Sequence, residues 1–180
     1  NAPEVPLGAG HLANMRAFCR HNRLKKAAAS AIAKRLDSKE IQDLLDAFAA
    51  SDSNKDGLIT YQELRDMIGK ASALTNLEDL LGVAADVDTD NDGRISYTEF
   101  LAAAMDRRHY QEERICHEAF QLFDCDASGS ICRKELLQVL CNKEVEDLMG
   151  SVAISRVMRE CDANKDGSID FQEFMRMMRL

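Results

Sequence analysis

Apolar residues along the chain recur at helical spacing, in segments that flank short polar stretches. One segment places its apolar residues at i, i+3, i+4 and i+7, which predicts an amphipathic helix. Its apolar positions are Ile41, Leu44, Leu45 and Phe48, with Ser38 as the expected N-cap. A second segment repeats the pattern with Ile115, Ala119, Phe120 and Phe123, and a further helix is expected in "FQEFMRMMRL". The pattern predicts an all-α fold.

The polar stretches between these helices share one pattern. They are Asp52–Glu63, Asp88–Glu99, Asp124–Glu135 and Asp162–Glu173, with first residues 36, 36 and 38 positions apart. Each has oxygen-bearing side chains at positions 1, 3 and 5, glycine at 6, isoleucine at 8 and glutamate at 12. This is the pattern of the EF-hand calcium loop.

Calcium chemistry explains the spacing. Ca²⁺ takes about six to eight oxygen ligands, which a tightly curled loop supplies from side chains at 1, 3, 5 and 12 and a backbone carbonyl at 7. The sequence therefore predicts up to four calcium ions. The expected ligands are Asp52, Asn54, Asp56, Leu58, Glu63, Asp88, Asp90, Asp92, Arg94, Glu99, Asp124, Asp126, Ser128, Ser130, Glu135, Asp162, Asn164, Asp166, Ser168 and Glu173.

The third loop departs from the other three. It has Ser128 at position 5 and Cys132 at position 9, where an oxygen that holds a water is usual. We expect it to bind calcium most weakly. The isoleucines at position 8 are β-branched and are expected to pair the loops through short strands, two loops to a lobe: Ile59, Ile95, Ile131 and Ile169.

Charge is unevenly distributed along the chain. Residues 1–36 contain seven Lys/Arg and one acidic residue, whereas residues 37–180 contain 16 Lys/Arg and 30 Asp/Glu, so +6 and −14 sum to the net charge of −8. An acidic body argues against nucleic-acid binding, which needs a basic face. The basic first segment is expected to bind the acidic remainder or another acidic surface.

The first segment carries its own apolar positions: Leu12, Met15, Phe18, Cys19, Leu24, Ala28, Ile32 and Leu36. The step from Cys19 to Leu24 breaks the spacing and rotates the apolar stripe by about 140°. The segment therefore has two binding surfaces, or it is a helix that breaks near "RHNR". A basic amphipathic helix fits a calmodulin-like groove, although a membrane-surface or merely solvated helix is the alternative.

These patterns predict a domain organisation. Residues 1–10 form a linker, 11–36 a junction helix, 37–105 an N-lobe with two EF-hands, 106–113 a linker, and 114–180 a C-lobe with two more. Methionines on the helices that follow the loops favour a sensor, because an opened sensor lobe exposes a methionine-lined groove. They are Met67, Met105, Met175, Met177 and Met178.

Cellular location is constrained by the termini and the cysteines. The start "NAPEVPLGAG" has no feature of a signal peptide, and it is interpreted as a linker or the cut end of a longer protein. The six cysteines have neither CxxC nor zinc-finger spacing. We therefore expect reduced thiols and a cytoplasmic protein, with membrane attachment only through a missing N-terminus.

The chain resembles the calcium-dependent protein kinases of plants and apicomplexan parasites. The resemblance rests on "MRAFCRHNRLKKAAASAIAKRL" followed by "DSKEIQDLLDAFAASDSNKDGLITYQEL" and on the spacing of the four loops. It implies that the first segment is an autoinhibitory junction and that the loops form a calmodulin-like sensor. It also implies a Ser/Thr kinase domain as partner in cis, and a junction held by its own lobes or a neighbour's.

The chain itself has no expected catalytic residue. A Gly-rich phosphate loop, a VAIK-type lysine, HRD and DFG are all missing from the sequence. The chain is thus predicted to be a regulatory fragment and no enzyme, and the resemblance implies that its parent is a Ser/Thr protein kinase. The alternatives are a stand-alone calmodulin-like adaptor that binds helices of other proteins, or a calcium buffer.

Overall fold

The computed structural model describes residues 9–36, 41–71, 77–140 and 148–180. Helices dominate these residues, and four strands of three residues each accompany them. The helices are α1 (Ala9–Cys19), α2 (Arg23–Ala33), α3 (Gln42–Ser51), α4 (Tyr61–Ala71), α5 (Leu77–Val87), α6 (Tyr97–Ala104), α7 (Glu113–Phe123), α8 (Arg133–Leu140), α9 (Leu148–Cys161) and α10 (Phe171–Arg179). The strands are β1 (Leu58–Thr60), β2 (Arg94–Ser96), β3 (Ser130–Cys132) and β4 (Ser168–Asp170). The all-α EF-hand fold is confirmed.

Two compact units divide the chain. The first contains the described part of Asn1–His21 together with Ala33–Asp106, and the second contains Asn22–Ile32 and Arg107–Leu180. Each unit thus combines one helix of the first segment with two consecutive EF-hands. Residues 11–36 are therefore shared between the two units instead of forming a body of their own.

In the first unit, β1 and β2 form an antiparallel ladder that joins the first two loops. Ile59 lies opposite Ile95, and both side chains are fully buried. The core beside the ladder is aromatic: the ring of Phe48 meets those of Tyr97 and Phe100 edge to face, at centroid distances of 5.4 and 5.5 Å. Helix α1 packs against α5 and α6 in this unit.

In the second unit, β3 and β4 join loops three and four in the same way. Ile131 lies opposite Ile169, again with both side chains fully buried. The expected pairing of the loops in twos is thus confirmed. Phe120 packs edge to face on Phe171 and Phe174, at 5.5 and 5.4 Å between ring centroids. Helix α7 packs against α10.

The basic first segment is broken at Arg20–Asn22, where the change of apolar phase occurs. Of the two sequence interpretations, the broken helix is confirmed, since α1 ends at Cys19 and α2 begins at Arg23. Asn22 caps the second helix because its side-chain oxygen accepts the Lys25 backbone N–H at 2.9 Å. A single helix over residues 11–36 would have placed the two apolar stripes on different faces.

Other expectations about local structure have mixed outcomes. Helix α3 begins at Gln42 after Ile41, and the expected cap Ser38 lies outside the described residues. The segment 106–113 is more ordered than a polar linker, because Arg107–Tyr110 forms a 3₁₀ turn whose Tyr110 is buried. Among the described residues, five cysteines are outside any disulfide: Cys19, Cys116, Cys125, Cys132 and Cys161.

Candidate metal centres

All four loops curl in the same way. The residue at position 4 has a left-handed backbone, with φ between 55 and 63° at Lys55, Asn91, Ala127 and Lys165. The glycine at position 6 is left-handed too, with φ between 81 and 90° at Gly57, Gly93, Gly129 and Gly167. Glycine adopts this conformation at no steric cost, which is why the loop requires it at position 6.

The curl directs backbone N–H groups at the aspartate that opens each loop. In every loop the glycine N–H donates to Oδ2 of this aspartate, over 2.8 to 3.0 Å. Asp52, Asp88 and Asp124 are buried, and Asp162 is half-buried. A buried carboxylate is costly unless its oxygens are satisfied, so these bonds hold the first expected ligand in place.

The glutamate at position 12 bridges the two ends of its loop. Its Oε2 accepts the backbone N–H of position 9, and its Oε1 accepts that of position 2. In loop two these bonds come from Ser96 at 2.9 Å and Thr89 at 2.7 Å to Glu99. Glu63, Glu135 and Glu173 make the same two bonds. Each glutamate side chain therefore already faces the loop interior.

The remaining predicted ligands lie on the open side of the loops. The side chains at positions 3 and 5 are exposed to solvent: Asn54, Asp56, Asp90, Asp92, Asp126, Ser128, Asn164 and Asp166. At position 7, whose backbone carbonyl is the predicted ligand, Leu58, Ser130 and Ser168 are half-exposed and Arg94 is exposed. Position 7 begins a short strand in all four loops.

Two observations show that this donor set fits calcium. Carboxylate oxygens of Asp88, Asp90 and Glu99 lie within 4.8 Å of one another, and so do those of Asp124, Asp126 and Glu135. In loop four, Oδ1 of Asp162 is buried and accepts no hydrogen bond. Hard oxygen donors crowded in this way suit a hard cation, and an orphaned buried carboxylate oxygen needs a partner.

Electrostatics distinguishes the loops. Loop two has four carboxylates among its expected ligands. Desolvation, together with repulsion from Glu99, raises the pKa of Asp90 in this loop. The backbone N–H of Thr60 lowers the pKa of Glu63, and the Ser168 N–H lowers that of Asp166. Desolvation opposes ionisation of Glu135, but the backbone N–H and thiol of Cys132 outweigh it and lower its pKa. In the loop that is expected to bind most weakly, the thiol at position 9 therefore favours the ionised form of Glu135.

The first unit holds helix α1 through two buried side chains and one polar contact. Met15 and Phe18 are 0% and 1% exposed. Asn14 donates from Nδ2 to the carbonyl of Ala104, 3.1 Å away, at the end of α6. The last carbonyls of a helix have no partner within it, so an amide donor from α1 satisfies one of them.

The second unit holds helix α2 in the same way, through buried apolar side chains and a side-chain hydrogen bond to the end of a helix. Leu24, Ala28 and Ile32 are fully buried. Lys25 is also buried, at 4% exposure, and its Nζ donates to the Met177 carbonyl, 3.1 Å away, in the last turn of α10. An ammonium group there satisfies an unpaired carbonyl and opposes the negative end of the helix dipole.

The burial of Lys25 has an electrostatic consequence. Its Nζ lies 5.8 Å from the centroid of the Tyr110 ring. Desolvation, together with the nearby Arg107, lowers the pKa of Lys25 from 10.5 to about 8. Asn22 makes a second polar contact with this unit through its Nδ2, 3.6 Å from Sγ of Cys161.

Four of the five methionines from which the sequence predicts a groove are buried. Met105 is buried in the first unit, and Met175, Met177 and Met178 are buried in the second. The side chain of Met67 lies outside the described residues. Among the described helices, none has the length and apolarity required to span a membrane.

Two contacts are not predicted by the sequence pattern. The pattern places Lys25 on a basic surface, but its side chain is buried against α10. The Tyr61 hydroxyl donates to Oδ2 of Asp88 at 2.8 Å. Position 10 of an EF-hand loop is not among the expected ligands, so the loop pattern gives no signal for Tyr61.

Comparisons with known proteins agree with this geometry. The family model described as an EF-hand domain pair matches residues 41–105 and again 113–179. Calcium-dependent protein kinase 21 of Arabidopsis thaliana is 37% identical over 99% of this chain and 33% of its own length. Calcium-dependent protein kinase 2 of Zea mays is 34% identical over 99% of this chain and 34% of its own.

The chain thus spans about a third of the length of the curated relatives it matches. The resemblance to calcium-dependent protein kinases that the junction sequence indicated is confirmed by these relatives. The two matched pairs coincide with the two ladders, β1 with β2 and β3 with β4. Loops, pairing and family model lead to one conclusion: the chain belongs to the EF-hand family of calcium-binding proteins.

Proposed function

We propose that this chain is the calcium-sensing regulatory part of a calcium-dependent Ser/Thr protein kinase, and that it controls a kinase domain of the same polypeptide. The relatives that match the whole chain are named calcium-dependent protein kinases, and the chain covers about a third of each. The chain carries no catalytic residue in this proposal. Its work is to hold or release the basic segment of α1 and α2, in the cytoplasm.

The observation that carries the proposal is the matched docking of the two junction helices. Each is held by one EF-hand pair through buried apolar side chains, and each donates one side-chain hydrogen bond to the end of that pair's last helix. The donors are Asn14, to Ala104, and Lys25, to Met177. A helical segment with a binding site in each lobe is what we expect of a regulatory element that calcium-sensing lobes bind and release.

Up to four ions are proposed, one in each loop. The residues that would hold them are the twenty predicted from the sequence. Bound calcium supplies a positive charge that balances the carboxylates of its loop. The glutamate at position 12 lies in the first turn of the helix that follows its loop, here called the exit helix. Turning its Oε1 away from the position-2 N–H would therefore shift that helix.

Such a shift acts on the junction because α6 and α10 are exit helices. Helix α6 carries Glu99 near its start and the acceptor Ala104 at its end. Helix α10 carries Glu173 and the acceptor carbonyl of Met177 in the same way. Calcium can shift the equilibrium only by binding the junction-holding state more tightly, which coupling through these two helices allows.

Tethering makes this competition effective. The junction belongs to the same chain as its binding sites, so its effective concentration is high and modest contacts suffice to hold it. The proposal assigns the junction to the chain's own lobes, with a neighbouring chain's lobes as the other possible host. In the absence of calcium, the junction is available to block the kinase domain.

The test is a phosphorylation assay with a catalytic domain from one of the related kinases. Adding this chain without calcium is expected to lower phosphorylation of a peptide, and calcium is expected to restore it. The control is a chain with Gln at Glu63, Glu99, Glu135 and Glu173, which should inhibit whether or not calcium is present. Equal phosphorylation with and without calcium in the presence of the unmodified chain would overturn the proposal.

A further inference from the structure

Asp88, which opens loop two, has an environment that the other three opening aspartates lack. Its Oδ2 accepts two hydrogen bonds, one from the Gly93 N–H at 2.9 Å and one from the Tyr61 hydroxyl at 2.8 Å. It is 2% exposed, whereas Asp52 and Asp124 are 8% and 9% exposed. The tyrosine hydroxyl supplies a charge-assisted bond to a carboxylate that has little access to water.

Tyr61 does not belong to loop two. It is position 10 of loop one and the first residue of α4, two residues before Glu63, the expected last ligand of loop one. Its bond to Asp88 therefore runs from the start of one exit helix to the first ligand of the neighbouring loop. The β1–β2 ladder joins the same two loops through their backbones.

We infer that Tyr61 is a positioning residue that couples the first two calcium sites by fixing the carboxylate of Asp88. With Oδ2 held by Tyr61 and Gly93, Oδ1 is kept facing the loop, where it already lies 3.2 Å from the Asp92 N–H. Groups that hydrogen-bond a metal ligand orient it and change the affinity of the site. The inference rests on the proposed binding of calcium by loops one and two.

Coupling follows from the shared helix start. When Glu63 reorients to hold an ion in loop one, the first turn of α4 reorients with it, and Tyr61 is in that turn. The position of the Tyr61 hydroxyl then decides how well Asp88 is placed in loop two. Because coupling between two binding sites is reciprocal, an ion in loop two raises the calcium affinity of loop one by the same factor.

The second EF-hand pair provides an internal comparison. Position 10 of loop three is Arg133, and its Nη2 donates to Oγ of Ser155 in α9, 2.9 Å away. The opening aspartate of loop four, Asp162, receives the Gly167 N–H on Oδ2 at 3.0 Å, and its buried Oδ1 accepts no hydrogen bond. The hydroxyl link is therefore specific to the first pair among the described residues.

The test uses the full chain with ¹⁵N label and follows the four loop glycines by NMR during a calcium titration. Each of these N–H groups donates to the opening aspartate of its own loop, so each reports on one site: Gly57, Gly93, Gly129 and Gly167. In the unmodified chain the Gly57 and Gly93 signals are expected to shift together. A Gly93 signal that never responds to calcium would contradict the proposed function itself.

Tyr61→Phe removes only the hydroxyl. We expect the Gly93 midpoint to move to about 10-fold higher calcium and to separate from that of Gly57. The Gly129 and Gly167 midpoints should stay in place and confirm that the second unit is intact. The matched control is Tyr97→Phe, at position 10 of loop two, whose ring packs on Phe48. Gly57 and Gly93 midpoints that remain coincident in Tyr61→Phe, shifted or not, would overturn the inference.

Discussion

At the scale of single residues, the glutamate at position 12 does two jobs in each loop. It joins the loop ends through backbone N–H groups, and it is the longest of the expected ligands, placed to offer two oxygens. Three of these glutamates are buried: Glu99, Glu135 and Glu173. The dual role explains why a side chain with two carboxylate oxygens is needed at this position.

Glu→Gln substitutions should therefore weaken calcium binding site by site. Replacing Glu63, Glu99, Glu135 and Glu173 one at a time removes a charge and one anionic oxygen, and each change should lower the affinity of its own site at least about 10-fold. Isothermal titration with calcium measures the loss. Glu135→Gln should have the smallest effect on total binding, because loop three is expected to bind most weakly. The largest loss at Glu135 would contradict this ranking.

The buried Lys25 should give the chain a distinctive pH dependence. Its pKa is about 8 in the folded chain and 10.5 in the unfolded one, so between these pH values the unfolded state binds the extra proton. Stability contributed by this residue therefore rises as pH increases from about 8 to 10.5.

The measurement is the free energy of unfolding, by urea, for the unmodified chain and for Lys25→Met. The difference between the two, unmodified minus variant, should increase over this pH range. Burial raises the pKa of the Cys116 and Cys161 thiols to about 11, which lowers stability over part of the same range in both chains. Lys34→Met, at an exposed site of the same segment, is the matched control variant. A flat difference for Lys25→Met would contradict its burial.

At the scale of elements, the short helices α1 and α2 owe their stability to packing. Each has 11 residues, which is marginal for an isolated helix in water. Helix α1 is held by Met15 and Phe18, and α2 by Leu24, Ala28 and Ile32, all almost completely buried. The apolar side chains therefore decide where each helix docks.

Truncating these anchors should destabilise the corresponding unit. Leu24→Ala or Ile32→Ala should cost about 2–5 kcal/mol in the free energy of unfolding, because each removes a fully buried side chain and leaves a cavity. Chemical denaturation of the calcium-loaded chain measures the change. Lys34→Ala, in the exposed part of the same segment, should change stability by about 0.5 kcal/mol or less. Equal effects of Ile32→Ala and Lys34→Ala would show that α2 is not docked.

Sequence reasoning worked best where the structure is local. Within a loop, ligand type, glycine and isoleucine follow from twelve consecutive residues, and the ladders Ile59–Ile95 and Ile131–Ile169 confirm the pairing. The phase jump between Cys19 and Leu24 likewise located the helix break. It could not decide between a broken helix and two faces of one helix, because either satisfies the same apolar positions.

The sequence pattern does not predict contacts between residues that are far apart in the chain. Tyr61 and Asp88 are 27 residues apart, and Lys25 and Met177 are 152 apart. Periodicity places a lysine on a polar face, and only the tertiary fold shows that its ammonium is buried at the end of α10. Position 10 of an EF-hand loop does not coordinate the ion in the expected ligand set, so nothing in the motif marked Tyr61.

At the scale of the whole molecule, charge and topology have a common explanation. The two EF-hand pairs are acidic, with 4 Lys/Arg and 13 Asp/Glu in residues 41–105 and 9 Lys/Arg and 13 Asp/Glu in residues 113–179. Each holds one half of the basic first segment. A calcium buffer needs no such segment, and an adaptor for other proteins would leave its grooves free for foreign helices. We therefore expect calcium to control how firmly the EF-hand pairs hold α1 and α2.

Hydrogen–deuterium exchange of the amides in α1 and α2, with and without calcium, tests this claim most directly. Calcium should slow exchange in both helices, around Met15 and Phe18 in α1 and around Leu24 and Ile32 in α2. The variant with glutamine at all four position-12 glutamates should lose this slowing. Exchange in both helices that is the same with and without calcium, while the four loops bind the ion, would contradict the account.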